Sequence, residues 1–192
     1  MDRELMAEGI RKFLDGLGHG FDGDDQARTP PRVARAWSED LVAGYDVDPD
    51  RELTWMPAPA EAGTVIVRGI SFASMCVHHL LPFFGEAHVA YLPGERLAGL
   101  SKLGRVVDAH GRRLQTQEHL TSDIATTLER VLKPRGVMVM LDARHTCMTL
   151  RGVRKEQSRM VTTVAMGLYD RDVSARAELV ALMKQQGASA TR

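Results

Sequence analysis

Two pairs of strand-like segments, separated by two helix-like segments, constrain the fold of this chain more than any other feature. The four segments are short, and they are rich in β-branched residues or alternate between apolar and polar side chains. They are TVIVRGISF (64–72), FFGEAHVAYL (83–92), GVMVMLDA (136–143) and SRMVTTVAMG (158–167). Between the pairs, helical spacing predicts one helix capped by Ser101 and a longer one from about Gln117, which Lys133-Pro134-Arg135-Gly136 ends. The order ββααββ predicts an α+β fold.

A helical region precedes this core. Asp2 can cap a first helix, whose apolar residues follow helical spacing as far as Leu17. The glycine-rich segment LGHGFDGDD (17–25) predicts a loop. Thr29-Pro30 then predicts a second helix, with Thr29 as its N-cap, Pro30 as its first residue and Gly44 at its end.

The length and charge of the chain limit its organisation and its partners. A chain of 192 residues fits one functional unit, which we divide into a helical region (1–63) and a larger domain (64–192) with a final helix at about 174–185. Its 25 basic and 25 acidic residues cancel, so we expect binding to neither nucleic acid nor membrane. Since the acidic, amphipathic N-terminus does not resemble a signal peptide, we expect a cytoplasmic protein.

The two cysteines of the chain each have histidines close by. Cys76 precedes His79 by three positions, a spacing that lets a local turn direct both at one ion, and His78 lies between them. Cys147 follows a predicted strand and has His145 two positions before it. Cys76, His79 and Cys147 would suit zinc and leave its fourth position open, as in catalytic sites. The alternative is that both thiols are buried in the core and the histidines are polar turn residues.

Basic and polar residues elsewhere are compatible with an anion site. Lys102 and Arg105 share one face at the start of a predicted helix, Arg151 follows the second cysteine, and Arg32 lies in a predicted first turn. Each is equally compatible with a solvated surface. Glu118, beside Gln117, could be a favourable first-turn residue, or it could accept two hydrogen bonds from a planar donor pair such as guanine presents.

Four motifs resemble one known family in order and spacing. They are SMCVHHLLPFFG, GLSKLGRVVD, RRLQTQEHLT and HTCMTLRGVRK, and they resemble GTP cyclohydrolase I. The resemblance implies the tunnelling fold, an antiparallel ββααββ sheet with helices on one side. It also implies a ring-shaped homo-oligomer, usually a decamer, with active sites between subunits. The implied reaction is zinc-dependent hydrolysis of GTP at C8, which releases formate and forms 7,8-dihydroneopterin triphosphate.

The same resemblance assigns roles to individual residues. It implies that the zinc ligands are Cys76, His79 and Cys147. It implies that proton transfer and the ribose steps use His78, His145 and Ser101. It implies that the guanine pocket contains Glu118 and Gln117, and that the triphosphate is held by Lys102, Arg105, Arg151 and, from a neighbouring subunit, Arg32.

One position departs from the family pattern. Val77 stands where the family usually has glutamate, so any hydrogen bonds from that acid to the site are missing. The departure keeps two alternatives open, a specialised paralogue of a deazapurine or other secondary pathway and a regulatory protein that binds GTP or a pterin. A third alternative shares the implied fold: a nitrile reductase of queuosine synthesis that uses a nucleophilic cysteine and nicotinamide. The metal-like neighbours of both cysteines and the lack of a dinucleotide-binding fingerprint count against it.

Overall fold

The N-terminal part of the chain is helical in the computed structural model, which describes residues 1–18 and 24–184. Its elements are α1 (Arg3–Gly16), α2 (Asp24–Ala36), a π-helical turn (Trp37–Leu41), a 3₁₀ turn (Ala43–Asp46) and α3 (Pro49–Glu52). The predicted cap of α1 is confirmed, because the Asp2 carboxylate accepts a hydrogen bond from the Leu5 amide at 2.9 Å. Most of the predicted loop at 17–25 and the polar tail after 184 lie outside the described residues.

The rest of the chain contains both strands and helices. The elements are β1 (Trp55–Pro57), β2 (Val65–Cys76), β3 (Pro82–Leu92), β4 (Arg96–Ala98), α4 (Leu100–Gly111), β5 (Leu114–Gln115), α5 (Gln117–Leu132), β6 (Gly136–His145), α6 (Thr146–Thr149), β7 (Met160–Gly167), α7 (Leu168–Arg171) and α8 (Val173–Lys184). The predicted α+β class is confirmed. No helix of the described residues is both long enough and apolar enough to cross a membrane.

A five-stranded sheet in the order β5-β2-β3-β6-β7 forms the centre of the fold. Its four long strands are antiparallel, but β5 pairs with the end of β2 in parallel, so the prediction of a purely antiparallel sheet is wrong at that edge. A bulge interrupts β2 between Val67 and Ile70, where Gly69 adopts a φ of 70° that glycine accommodates most readily. The strands β1 and β4 form a separate pair.

Helices cover both faces of the sheet, in contrast to the prediction of helices on one side. Alternate residues of β3 and β6, such as Val89 and Val139, pack with α4 and α5 in the main core. Their sequence neighbours Ala90 and Met138 point to the opposite face and pack against Leu179 of α8. The C-terminal helix therefore closes the face that the two central helices leave open.

Two predicted helix starts are wrong. The second helix begins at Asp24 and continues through Pro30, and Asp24 and Arg28 form an exposed i, i+4 ion pair in its first turns. The N-cap of α4 is Gly99, so Ser101 is the second helical residue and its side chain is exposed. The N-cap of α5 is Thr116, which places Gln117 and Glu118 in the first turn as predicted.

Candidate metal centre and active site

A tight turn after β2 directs two of the predicted ligands toward each other. The Cys76 amide donates to the Leu81 carbonyl at 2.9 Å, and the Leu80 amide donates back to the Cys76 carbonyl at 2.9 Å. Leu80 closes the turn with a φ of 54°, a left-handed conformation that is rare for residues other than glycine. The turn brings Nδ1 of His79 to 3.8 Å from Sγ of Cys76.

The third predicted ligand, Cys147, belongs to the segment that follows the first strand of the second pair. Cys147 lies in α6, directly after β6, and β6 pairs with β3 so that His145 is opposite Phe83. The Thr146 hydroxyl donates to the Pro82 carbonyl at 2.6 Å, and this hydrogen bond holds α6 against the start of β3. As a result, the ligand atoms of Cys76, His79 and Cys147 all lie within 4.8 Å of one another.

The donor set and its electrostatics fit a zinc ion. Ligand atoms around tetrahedral zinc are roughly 3.5–3.8 Å apart, given Zn–S near 2.3 Å and Zn–N near 2.0 Å, so a small contraction of the observed group would complete the geometry. Burial raises the pKa of the Cys147 thiol, and the neighbouring Cys76 raises it further. Two thiolates side by side need a cation between them, which a bound metal provides.

His78 lies beside this group without belonging to it. Its Nδ1 is 4.0 Å from Sγ of Cys76, and its ring meets that of His79 edge to face at 6.2 Å between centroids. Both imidazoles are exposed, as is the neighbouring Val77 at 46%. The adjacent histidines therefore reach the same thiol from an exposed turn.

His145 is held on two sides. Its Nε2 is 2.8 Å from Oε1 of Gln117, and its ring stacks on Phe83 with 4.6 Å between centroids and 3° between planes. Burial lowers the pKa of His145, and the negative charge of Glu118 partly offsets that effect. The Glu118 carboxylate itself is exposed in the first turn of α5, whereas the Gln117 side chain is fully buried.

The predicted anion-binding residues are spread over the surface of the single chain. Arg105 lines a cleft of about 220 Å³ and lies 3.4 Å from Glu52, while the metal group lines a different part of the surface. Lys102 is on the same helix, and exposed Arg32 and Arg151 lie on α2 and after α6. Arg151 lies close enough to the metal group for its charge to lower the pKa of the Cys147 thiol, against the larger opposing effects of burial and of Cys76.

Comparison with known proteins identifies the family. A sequence profile described as GTP cyclohydrolase I matches residues 6–184. The chain belongs to the GTP cyclohydrolase I family. It is 44% identical over 184 residues to a protein named GTP cyclohydrolase 1 from Streptococcus thermophilus (strain CNRZ 1066), which covers 95% of this chain and 98% of the relative. A GTP cyclohydrolase 1 from Streptococcus agalactiae serotype Ia is 43% identical over 185 residues, or 96% of this chain and 98% of the relative.

One solved structure also overlaps with this chain. The archaeosine synthase QueF-Like, in its apo form, superposes with a TM-score of 0.46 at 16% sequence identity. The match covers 57% of this chain and 96% of that one.

The structure adds residues to the site that sequence patterns did not identify. Phe83 supports the ring of His145, Thr146 fastens the loop of Cys147, and Thr162 on β7 contacts the Gln117 amide at 3.0 Å. Each of these contacts joins residues far apart in the chain. A local motif or spacing therefore carries no signal for them.

Proposed function

We propose that this chain is a zinc-dependent GTP cyclohydrolase I that hydrolyses GTP at C8, releases formate and forms 7,8-dihydroneopterin triphosphate. The observation that carries the proposal is the convergence of Cys76, His79 and Cys147 from two separate strand pairs, within a chain of this family. Zinc bound by these residues would supply Lewis-acid activation of water at neutral pH.

The histidines near the metal group would transfer protons during the reaction. His78 is exposed next to the ligands and would exchange a proton with the imidazole ring of the purine as a general acid–base residue. His145 would serve the ring-opening and ribose steps from its stacked position on Phe83. Ser101, exposed in the first turn of α4, would meet the ribose.

Glu118 would select the base. Its carboxylate is exposed at the start of α5 and can accept hydrogen bonds from both N–H groups on the guanine edge. A base without those donors would leave the carboxylate unpaired, which disfavours its binding.

The triphosphate would be held by basic residues of more than one subunit. Arg151 lies beside Cys147, but Lys102 and Arg105 come from α4 and Arg32 comes from α2, so we infer active sites shared between the copies of a ring, most simply a decamer. Two sheet edges support assembly: β7 pairs only with β6, and residues 65–74 of β2 have no strand on their outer side among the described residues. Such edges readily pair with another chain. In this proposal the domain 64–192 has the tunnelling fold, the two N-terminal helices precede it, and both act as one unit.

The proposal is tested by product analysis after zinc-loaded protein has been incubated with GTP. We expect formate and dihydroneopterin triphosphate in the mass spectrum, none from Cys147→Ser, and unchanged turnover in the matched control Met148→Leu. An accumulating ring-opened formamide would show that only the first hydrolysis is retained. Unchanged GTP, with tight binding of it, would refute the enzymatic proposal and favour a regulatory role.

A further inference from the structure

The amide of Gln117 has a determined orientation. Its Nε2 lies 3.2 Å from the Leu141 carbonyl and 3.0 Å from the Met160 carbonyl. Since carbonyl oxygens can only accept, this end of the amide must be the NH₂ group. Oε1 therefore faces His145 at 2.8 Å, and the ring nitrogen Nε2 must be the donor of that bond.

Two threonines extend the network in one direction. The Thr121 hydroxyl donates to the Gln117 backbone carbonyl at 2.7 Å, so it accepts from Thr162 across their 2.6 Å contact. Thr162 in turn accepts from Nε2 of Gln117 at 3.0 Å. The two protons of the Gln117 NH₂ group are thus shared among three acceptors, namely two carbonyls and the Thr162 hydroxyl, and all three require the NH₂ group at this end of the amide.

We propose that Gln117 is a positioning residue that holds His145 in the Nε2–H tautomer, and not a residue that contacts substrate. The inference rests on the proposed function for its catalytic meaning. The Gln117 side chain is fully buried, and both ends of its amide are occupied within the chain. Neutral His145 consequently presents its unprotonated Nδ1 as a hydrogen-bond acceptor on the opposite edge of the ring. The stacked ring of Phe83 fixes the plane in which it does so.

The tautomer can be measured without any turnover. Solid-state NMR of protein with ¹⁵N-labelled histidine distinguishes a protonated ring nitrogen from an unprotonated one, and the resonances of His145 are those that disappear in His145→Gln. We expect a protonated Nε2 and an unprotonated Nδ1 in the neutral form, with or without zinc. A protonated Nδ1 in the wild-type protein would overturn the proposal.

Substitutions separate positioning from general packing. Gln117→Leu keeps the volume but removes the acceptor, so we expect mixed His145 tautomers. Thr162→Val is the matched control, because it removes a polar group from the same network while both carbonyls still orient the amide. We expect its His145 spectrum to match wild type. An unmixed Nε2–H signal in Gln117→Leu would contradict the proposal.

Kinetics with GTP give an independent readout. Loss of an outer hydrogen bond of this kind typically costs about 10–100-fold, and here we expect the loss in kcat with KM changed by less than about threefold. A rise in KM with unchanged kcat would instead identify Gln117 as a substrate contact and refute the inference. If the wild-type protein fails to convert GTP, the proposed function fails, whereas the NMR result still decides the role of Gln117.

Discussion

Acidification should destabilise the fold through one buried histidine, His110. His110 lies at the end of α4, is only 6% exposed, and meets the Thr127 hydroxyl at 2.9 Å through Nε2. Its Nδ1 is buried without a partner among the described residues. Burial lowers the pKa of His110 from 6.5 to about 4; Arg113 and Arg130 lower it as well, and Asp123 and Asp50 act in the opposite direction.

The sign and size of the effect follow from these two pKa values. The folded state binds the proton more weakly than the unfolded state, so between pH 6.5 and about 4 the unfolded chain carries more protons. The free energy of unfolding therefore falls as the pH falls through this window. From pH 7.5 to pH 5 the contribution of His110 amounts to about 2 kcal/mol.

Urea unfolding of wild type and His110→Gln measures this contribution. The variant keeps an amide that can meet Thr127 but cannot take up a proton in this range. All other titrating groups are common to the two proteins, so the difference between them isolates His110 at fixed protein concentration. We expect the free energy of unfolding of the variant, relative to that of wild type, to rise by about 2 kcal/mol as the pH falls from 7.5 to 5. A difference that does not change with pH would refute the reasoning.

Three further predictions concern the site. Cys147→Ser should reduce zinc content per chain, measured by elemental analysis, from near one to a small fraction, whereas Met148→Leu should retain it. Glu118→Gln should lower kcat/KM for GTP by about 10–100-fold through loss of a charge-assisted contact worth roughly 1.5–3 kcal/mol. The control substitution Glu129→Gln, at an exposed position of the same helix, should leave kcat/KM for GTP unchanged. In a chelator competition, Leu80→Val should weaken zinc retention and Leu80→Asn should preserve it. The reason is that asparagine tolerates the left-handed conformation of this turn and a β-branched residue does not. Equal zinc retention by the two variants would count against strain at this turn.

Local signals predicted the elements that depend on local chemistry. The predicted cap at Asp2 involves a side chain close in sequence to the backbone amide it binds, and the apolar spacing of α5 extends over 16 residues. The start of α2 was predicted wrongly at Thr29-Pro30. That motif is typical of a helix start, but an ion pair at Asp24 supports an earlier one.

Contacts between distant segments could not be predicted in this way. The strand β5 has two residues and forms only because it pairs with Met75 and Cys76 at the end of β2. The three metal ligands could be nominated from spacing and resemblance, but their convergence depends on the pairing of β3 with β6. The role of Gln117 depends on carbonyls 24 and 43 residues further along the chain.

The central claim is tested most directly by following the carbon that the reaction should remove. Zinc-loaded protein is given GTP labelled with ¹³C at C8, and labelled formate is quantified by NMR against the GTP consumed. The account predicts one labelled formate for each GTP converted, in wild type and not in Cys147→Ser. Protein that holds one zinc per chain at Cys76, His79 and Cys147 and yet releases no labelled formate would contradict it.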